Sequence, residues 1–242
     1  MTNKERGTFL MINNKMFNSK TGMTERTGTD VDADALCQLF QKLGFKIRRY
    51  DDRTVAQMID VIKAATKEDH TNNDCFALAL LSHGDDGIIY GIDDHIPLEF
   101  LLAPVKKCST LAGKPKLFFI QACRGTKLDP GTKVESDSGD QQTIKIPIEA
   151  DYLYAYSTVP GYFSWRNSLK GSWFVQSLAA TYDDVLRQQQ QPVDLLKIFT
   201  RVNKKVAFEF QSNSSSLNMD KMKQVPYIAS TLTKDLYLYP KK

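Results

Sequence analysis

Apolar and polar positions along the chain alternate between short runs of strand length and longer stripes of helical spacing. FLMIN (9–13) reads as a strand. From Asp30 to Leu43 the apolar residues Val31, Ala35, Leu36, Leu39, Phe40 and Leu43 recur at spacings of three and four. That stripe predicts a helix with Asp30 as its N-cap and Gly44 as the left-handed residue that closes it. FKIRRY (45–50) alternates as a strand, and Thr54 with Gln57 forms the T-x-x-Q of a capping box ahead of Val55, Met58, Ile59 and Ile62. CFALALLS (75–82) and KLFFIQAC (116–123) are almost unbroken apolar runs, as expected of parallel strands buried on both faces. YLYAYST (152–158) predicts another strand, Trp173–Leu186 and Val193–Phe210 two helices, and Tyr227–Tyr239 a strand in two pieces. The β-α-β-α order predicts an α/β fold, a three-layer α-β-α sandwich around a mostly parallel sheet.

Two polar stretches interrupt this rhythm. Residues 124–147 are rich in Gly, Pro, Ser and charge, and QSNSSSLNMDKMK (211–223) precedes the last strand. Loops of that length in a compact domain mark a site wall or a processing point. The 242 residues are 42% hydrophobic and 25% charged, the balance of an ordinary folded domain rather than a disordered chain. The longest apolar run, Phe76 to Leu81, is far short of the roughly 18 residues that span a bilayer, and the first residues hold no apolar run of signal-peptide length. The net charge of +4 is spread along the chain, with no basic patch that would argue for nucleic acid. Cysteines 37, 75, 108 and 123 form no C-x-x-C pair, so neither a disulfide framework nor a structural metal site is expected. This usage fits a reducing, cytoplasmic setting, and no cofactor is implied.

Chemistry collects beyond the carboxyl ends of strands in a parallel α/β sheet. The first buried run leads into His83-Gly84 and the second into Cys123-Arg124-Gly125. If those strands are parallel neighbours, His83 and Cys123 emerge together at one edge. A thiol beside an imidazole is the minimal apparatus for nucleophilic acyl transfer. Gly84 lets a substrate carbonyl approach the backbone, so the N–H groups of Gly84 and Cys123 can hold an oxyanion. Taken alone, a strand-end cysteine is more often a small buried hydrophobe, and that reading is kept for Cys37, Cys75 and Cys108.

At Cys123 the local string decides otherwise. Gln121-Ala122-Cys123-Arg124-Gly125 matches the Q-A-C-[RQG]-G signature of caspases, with His83 lying 40 residues upstream of Cys123. The stretches GMTERTGTDVDA (22–33), LLSHGDDGIIYG (80–91), GKPKLFFIQACRG (113–125), DYLYAYSTVPGYFSWRNS (151–168), GSWFVQSL (171–178) and YIASTLTKDLYLY (227–239) extend the match over almost the whole chain. The sequence resembles the caspase family, executioner type.

The resemblance implies a cysteine endopeptidase that cuts after aspartate and carries out apoptosis. By matching position, Cys123 is the nucleophile, His83 the general acid/base, Gly84 a contributor to the oxyanion hole, and Thr24 the carbonyl that orients the imidazole. Arg26, Gln121 and Arg166 would form the pocket for the aspartate side chain, with Ser82 and Ser164 nearby. An arginine fork suits a carboxylate because it binds in bidentate fashion and keeps its proton. Phe163 and Trp165 would line the site for the preceding residue, and Asn167 and Trp173 the fourth position. The chain departs from the family in its outer loop, where Asn213, Ser215 and Met219 stand at aromatic positions, so the outer pockets are expected to be more open and polar.

The same resemblance implies a precursor split into a large portion (1–137) and a small one (138–242) of a single catalytic domain, joined by a linker at about 124–147. Asp137–Ser138, within Val134-Glu135-Ser136-Asp137, is the expected cut, with Asp140 second and Asp129 disfavoured by the following proline. No aspartate precedes Asp30, from which no aspartate-ended propeptide is expected. A homodimer through residues 227–239, protein substrates, an upstream activating caspase and inhibitor proteins are the implied partners, with no nucleic acid and no membrane. Three other readings compete. A non-catalytic relative would lack the thiol, imidazole or arginines; a relative cutting after Arg or Lys would have an acidic pocket; a nucleotide-binding module would carry a glycine-rich phosphate loop, and neither G-x-G-x-x-G nor G-x-x-x-x-G-K occurs.

Overall fold

The two unbroken apolar runs lie side by side in the middle of a six-stranded sheet. The structure is a computed structural model that describes residues 1–125, 127–128, 150–188, 192–213 and 219–241. The elements run β1 (Thr8–Asn13), α1 (Thr29–Lys42), β2 (Lys46–Asp51), α2 (Val55–Thr66), β3 (Phe76–Leu81), β4 (Gly84–Asp85), β5 (Ile88–Tyr90), β6 (His95–Pro97), α3 (Leu98–Lys106) and β7 (Lys116–Gln121). They continue with β8 (Tyr152–Tyr156), β9 (Arg166–Asn167), β10 (Gly171–Ser172), α4 (Trp173–Arg187), α5 (Leu195–Glu209) and β11 (Tyr227–Ser230). The main sheet has the order β11-β8-β7-β3-β1-β2. Its pairings are parallel except for β11 on β8.

Every residue of β1, β3 and β7 is buried, which is why these strands read as continuous rather than alternating. Successive side chains point to opposite faces. Phe9, Met11, Ala77, Ala79, Leu117 and Phe119 join a core with α1, α4 and α5. Leu10, Ile12, Leu78, Leu80, Phe118 and Ile120 join a second core with α2 and α3. The three-layer sandwich follows. The register pairs Phe76 with Lys116 through to Leu81 with Gln121, so β3 and β7 end level with one another. That single fact puts the residues after each strand at the same edge.

The capping box forms as the sequence predicts: the Thr54 hydroxyl accepts from Gln57 N–H, and the Gln57 side chain accepts from Thr54 N–H. Two expectations need correction. The N-cap of α1 is Gly28 in a left-handed conformation, not Asp30. Asp30 lies one residue inside the helix, where its carboxylate is taken by Lys15 at 3.0 Å and Asn13 at 3.0 Å. The strand over 227–239 covers only its first four residues. Beyond Ser230 the chain leaves the ladder and instead buries Leu236 and Leu238, with Leu236 O accepting from Leu195 N–H. Helix α3 was not foreseen from the pattern, because it is nine residues long and carries Pro104.

A buried charged cluster ties the start of the chain to its end. Asp74 accepts from Arg6 at 3.1 Å and Lys241 at 2.7 Å, with none of its own side chain exposed. Arg6 also donates to Leu43 O and Tyr239 O, and Lys241 to Asn3 O. Removing one partner of such a buried set costs about 3–5 kcal/mol, since the remaining charge is left desolvated. Among the described residues, no helix is long and apolar enough to cross a membrane, and no cluster of three metal-ligating side chains occurs.

Candidate active site

His83 follows β3 and Cys123 follows β7, and the level strand ends bring both into one cavity of about 230 Å³. Larger hollows of about 600 and 410 Å³ lie elsewhere, against Lys116 and against α3. Cys108 lines the first of these, and neither contains a thiol–imidazole pair. The reactive cavity is therefore the smaller one.

His83 Nε2 lies 2.8 Å from Thr24 O. A carbonyl only accepts, so Nε2 carries the hydrogen and Nδ1 keeps a free lone pair. Phe17 lies against the imidazole, ring centroids 4.8 Å apart at 58°. Burial lowers the pKa of His83, and the charges of Arg26 and Arg166 lower it further, against the opposing bond to Thr24. Burial raises the pKa of Cys123, opposed by the Ser164 N–H and by the same two arginines. The resting pair is consequently a neutral thiol beside a neutral imidazole.

Gly84 follows immediately. A Cβ on it would stand 2.9 Å from Ala122 Cβ and 3.0 Å from Cys123 O, so a side chain there would drive into the Cys123 loop. The other cysteines have no histidine partner in this cavity. Cys75 is fully buried, which pushes its thiol up to about 12.

The floor of the cavity is cationic. Arg26 is only 1% exposed. Its Nη1 donates to Asn14 O and to Thr29 Oγ1, each at 2.8 Å, while Nε and Nη2 have no protein partner. Burial first, then the neighbouring Arg166, lowers its pKa to about 9, so it is still charged at neutral pH. Arg166, at the start of β9, donates through Nε to Thr27 O at 2.9 Å. Gln121 Nε2 donates to Ser164 Oγ at 2.8 Å, leaving its Oε1 buried without a partner. The Ser82 hydroxyl is turned away, donating to Tyr90 O at 2.6 Å. Two guanidiniums lining one cavity, the buried one with open donors, are suited to a carboxylate.

Phe163, Trp165 and Met219 form the rest of the wall. Asn167 and Trp173 do not line the cavity. Asn167 is exposed, and its Oδ1 accepts from Leu169 N–H and Lys170 N–H to close the β9–β10 turn. Trp173 begins α4 and stacks behind Trp165, centroids 5.7 Å apart at 18°. Several supporting residues escaped the sequence reading. Asn14, Thr29 and Phe17 hold Arg26 and His83, and Asp32 accepts from Ser172 N–H at 2.8 Å and Gln176 Nε2 at 2.9 Å behind the arginines. Gly171 has φ +83°, and a Cβ there would lie 2.3 Å from Asp32 Oδ1, so glycine is needed for that carboxylate to reach the turn. The expected cut at Asp137–Ser138, and Ser215 of the outer loop, lie outside the described residues.

The caspase domain family matches residues 6–237 of the chain. The chain belongs to the caspase family. Caspase-3 of Mesocricetus auratus is 48% identical over 238 residues, which cover 97% of this chain and 84% of that protein. Caspase-7 of Gallus gallus is 46% identical over 248 residues, covering 98% of this chain and 78% of the relative. The crystal structure of caspase-1 from Spodoptera frugiperda superposes with a TM-score of 0.88 at 40% identity, covering 99% of this chain and 94% of that one. Both the executioner assignment and the α/β sandwich are thereby established. This caspase is an apoptotic cysteine endopeptidase of the aspartate-specific class.

Proposed function

We propose that this caspase cuts protein chains after aspartate, with Cys123 as nucleophile and His83 as its base, and with Arg26, Gln121 and Arg166 reading the aspartate carboxylate. One observation carries the reading. A fully buried Arg26 keeps two nitrogens unpartnered in the same cavity that holds the thiol and the imidazole. Buried donors without partners are costly, and a substrate carboxylate satisfies them.

The steps follow from the atoms. Because thiol and imidazole both rest neutral, proton transfer from Cys123 Sγ to His83 Nδ1 accompanies attack on the scissile carbonyl carbon. The carbonyl oxygen takes the negative charge and accepts from the N–H groups of Gly84 and Cys123. His83 then returns the proton to the leaving amine as the C–N bond breaks. Water, deprotonated by the same nitrogen, hydrolyses the thioester and frees the thiol. Thr24 O holds the ring in the required tautomer throughout. An asparagine in the first position lacks the charge, and a glutamate is one methylene too long for the floor.

The β9 backbone beside the cavity is placed to pair with an extended substrate. Asn213 is exposed in the outer loop, and with Met219 in place of an aromatic residue it supports more open and polar outer pockets. A precursor cut at Asp137–Ser138 into the 1–137 and 138–242 portions, a two-fold homodimer along the free edge of β11, and a cytoplasmic location complete the proposal. The four-residue β11 at the sheet margin supports the second of these.

Hydrolysis of an Asp-Glu-Val-Asp fluorogenic peptide tests the core of the reading. Cys123→Ala and Arg166→Ala are each expected to remove nearly all turnover, the first through chemistry and the second through recognition. Equal rates on the Asp and Asn peptides would overturn the pocket assignment. Intact-mass analysis of active enzyme tests the cut, and one unbroken fully active chain would refute it.

A further inference from the structure

The two walls of the cavity are held together from outside it. The nucleophile belongs to the loop after β7, whereas Phe163, Trp165 and Arg166 come from a stretch after β8. The two walls are covalently distant, yet the cavity is narrow.

Gln224 is 2% exposed and lies just before β11. Its Oε1 accepts from Trp165 N–H at 2.7 Å, and its Nε2 donates to Ser157 O at 2.6 Å. The amide can face only one way, since an N–H cannot accept and a carbonyl cannot donate. Ser157, which is fully buried after β8, turns its hydroxyl to Ala122 O at 3.0 Å. One buried hydrogen-bonded path therefore runs from Trp165 through Gln224 and Ser157 to the residue before the nucleophile. A second link, Gln121 Nε2 to Ser164 Oγ, spans the same gap nearer the floor.

We propose that Gln224 is a positioning residue for substrate recognition: its side-chain amide clamps the Trp165 strand to the end of β8 and so sets the spacing between the substrate-reading wall and Cys123. This inference rests on the protease reading above. Gln224 touches neither the reacting atoms nor the substrate, and it acts through the Trp165 backbone. The clamp is drawn from the segment next to the outer loop and joins Trp165 to Ser157, and the Ser157 hydroxyl carries the path on to Ala122 beside Cys123. Without it, Trp165 N–H and Ser157 O become unsatisfied buried groups, and the wall relaxes outward to find water. Substrate binding suffers first, because β3 and Thr24 hold the imidazole and β7 holds the thiol, and among the described residues the wall reaches Cys123 only through the Ser164 N–H.

Three variants test this with the Asp-Glu-Val-Asp peptide, each normalised by active-site titration with an irreversible aspartyl inhibitor. Gln224→Met, similar in size but unable to make either bond, is expected to raise KM about tenfold and leave kcat within about twofold. Gln224→Ala serves as a second amide-free variant, and thermal melting separates folded from unfolded protein. Gln224→Glu supplies the readout that mere destabilisation would not move. Burial raises a carboxyl pKa, and a protonated glutamic acid reproduces both bonds, its O–H donating to Ser157 O and its C=O accepting from Trp165 N–H. Ionised, it repels the Ser157 carbonyl. The KM ratio of this variant to wild type should therefore fall toward one as pH drops from 8 to 5.5. His83, Cys123, Arg26 and Arg166 titrate in both enzymes and cancel in the ratio. A Gln224→Met enzyme with wild-type KM, or a Glu variant whose ratio is flat with pH, would overturn the inference. If wild type itself fails to cleave after aspartate, the protease reading fails instead.

Discussion

Replacing Arg26 with lysine keeps a positive charge in the cavity floor and so isolates what the guanidinium geometry contributes. Arg26 meets two demands at once. Nη1 holds Asn14 O and Thr29 Oγ1, while Nε and Nη2 stay free for a ligand. A single ammonium cannot do both. If it turns to the carboxylate, two buried acceptors lose their donor; if it stays with them, the carboxylate loses its fork. Either choice forfeits at least one charge-assisted bond, about 1.5–3 kcal/mol, so kcat/KM on the Asp-Glu-Val-Asp peptide should drop by about 10- to 10²-fold or more at pH 8. Burial and Arg166 hold Arg26 at about 9. A lysine begins about two pKa units lower than an arginine, so burial and the Arg166 charge push it further toward the neutral form than they push the arginine. Its charged fraction is therefore smaller at pH 8 than at pH 6. The deficit should shrink as pH falls, because the wild-type arginine stays predominantly charged over the same range. Initial rates from pH 6 to 8.5, normalised to titrated thiol, measure this. A lysine variant with wild-type kcat/KM at pH 8, or one whose deficit grows toward acid, would refute the reasoning.

Three further outcomes are expected. The acid limb of the wild-type kcat/KM profile should lie below the ordinary imidazole value of about 6.5, since burial and the two arginines disfavour the imidazolium; Phe17→Ala wets the ring and should move that limb upward, so a downward move would contradict the contact's role. Gly84→Ala should abolish turnover while the chain still folds, because its Cβ would meet Ala122 Cβ at 2.9 Å and Cys123 O at 3.0 Å; retained activity measured with the fluorogenic peptide would show that the Cys123 loop yields to a methyl group without losing its geometry. Thr54→Ala removes the capping-box oxygen and should cost about 1 kcal/mol, lowering Tm by about 2–4 °C with no change in kcat/KM, and a kinetic effect would show that α2 is coupled to the site.

Legibility in the sequence followed how local each feature is. The runs Phe76–Leu81 and Lys116–Gln121 announce two-faced burial by composition alone, and once they are neighbours, His83 and Cys123 must meet. The capping box of α2 was equally plain, being four residues long. The cationic floor was different. Arg26 and Arg166 come from opposite halves of the chain, and only the family resemblance brought them together. Gln224 and Phe17 gave no signal at all, because a backbone hydrogen bond and a ring face leave no spacing to recognise. Asp30 misled because its position suits an N-cap, whereas tertiary partners, Lys15 and Asn13, claimed its carboxylate. The last segment misled for a related reason: alternating residues at 236 and 238 satisfy a buried docking surface as well as they would a strand.

The adjacency of β7 and β8 has a bearing on what proteolysis can do to this molecule. A nick anywhere along the backbone between them yields two polypeptides that still contribute neighbouring strands, joined from Lys116–Tyr152 to Ile120–Tyr156, to one common layer. Neither piece can drift off without baring Leu117, Phe119, Leu153 and Ala155 to water. Scission here loosens a tether and leaves the scaffold standing.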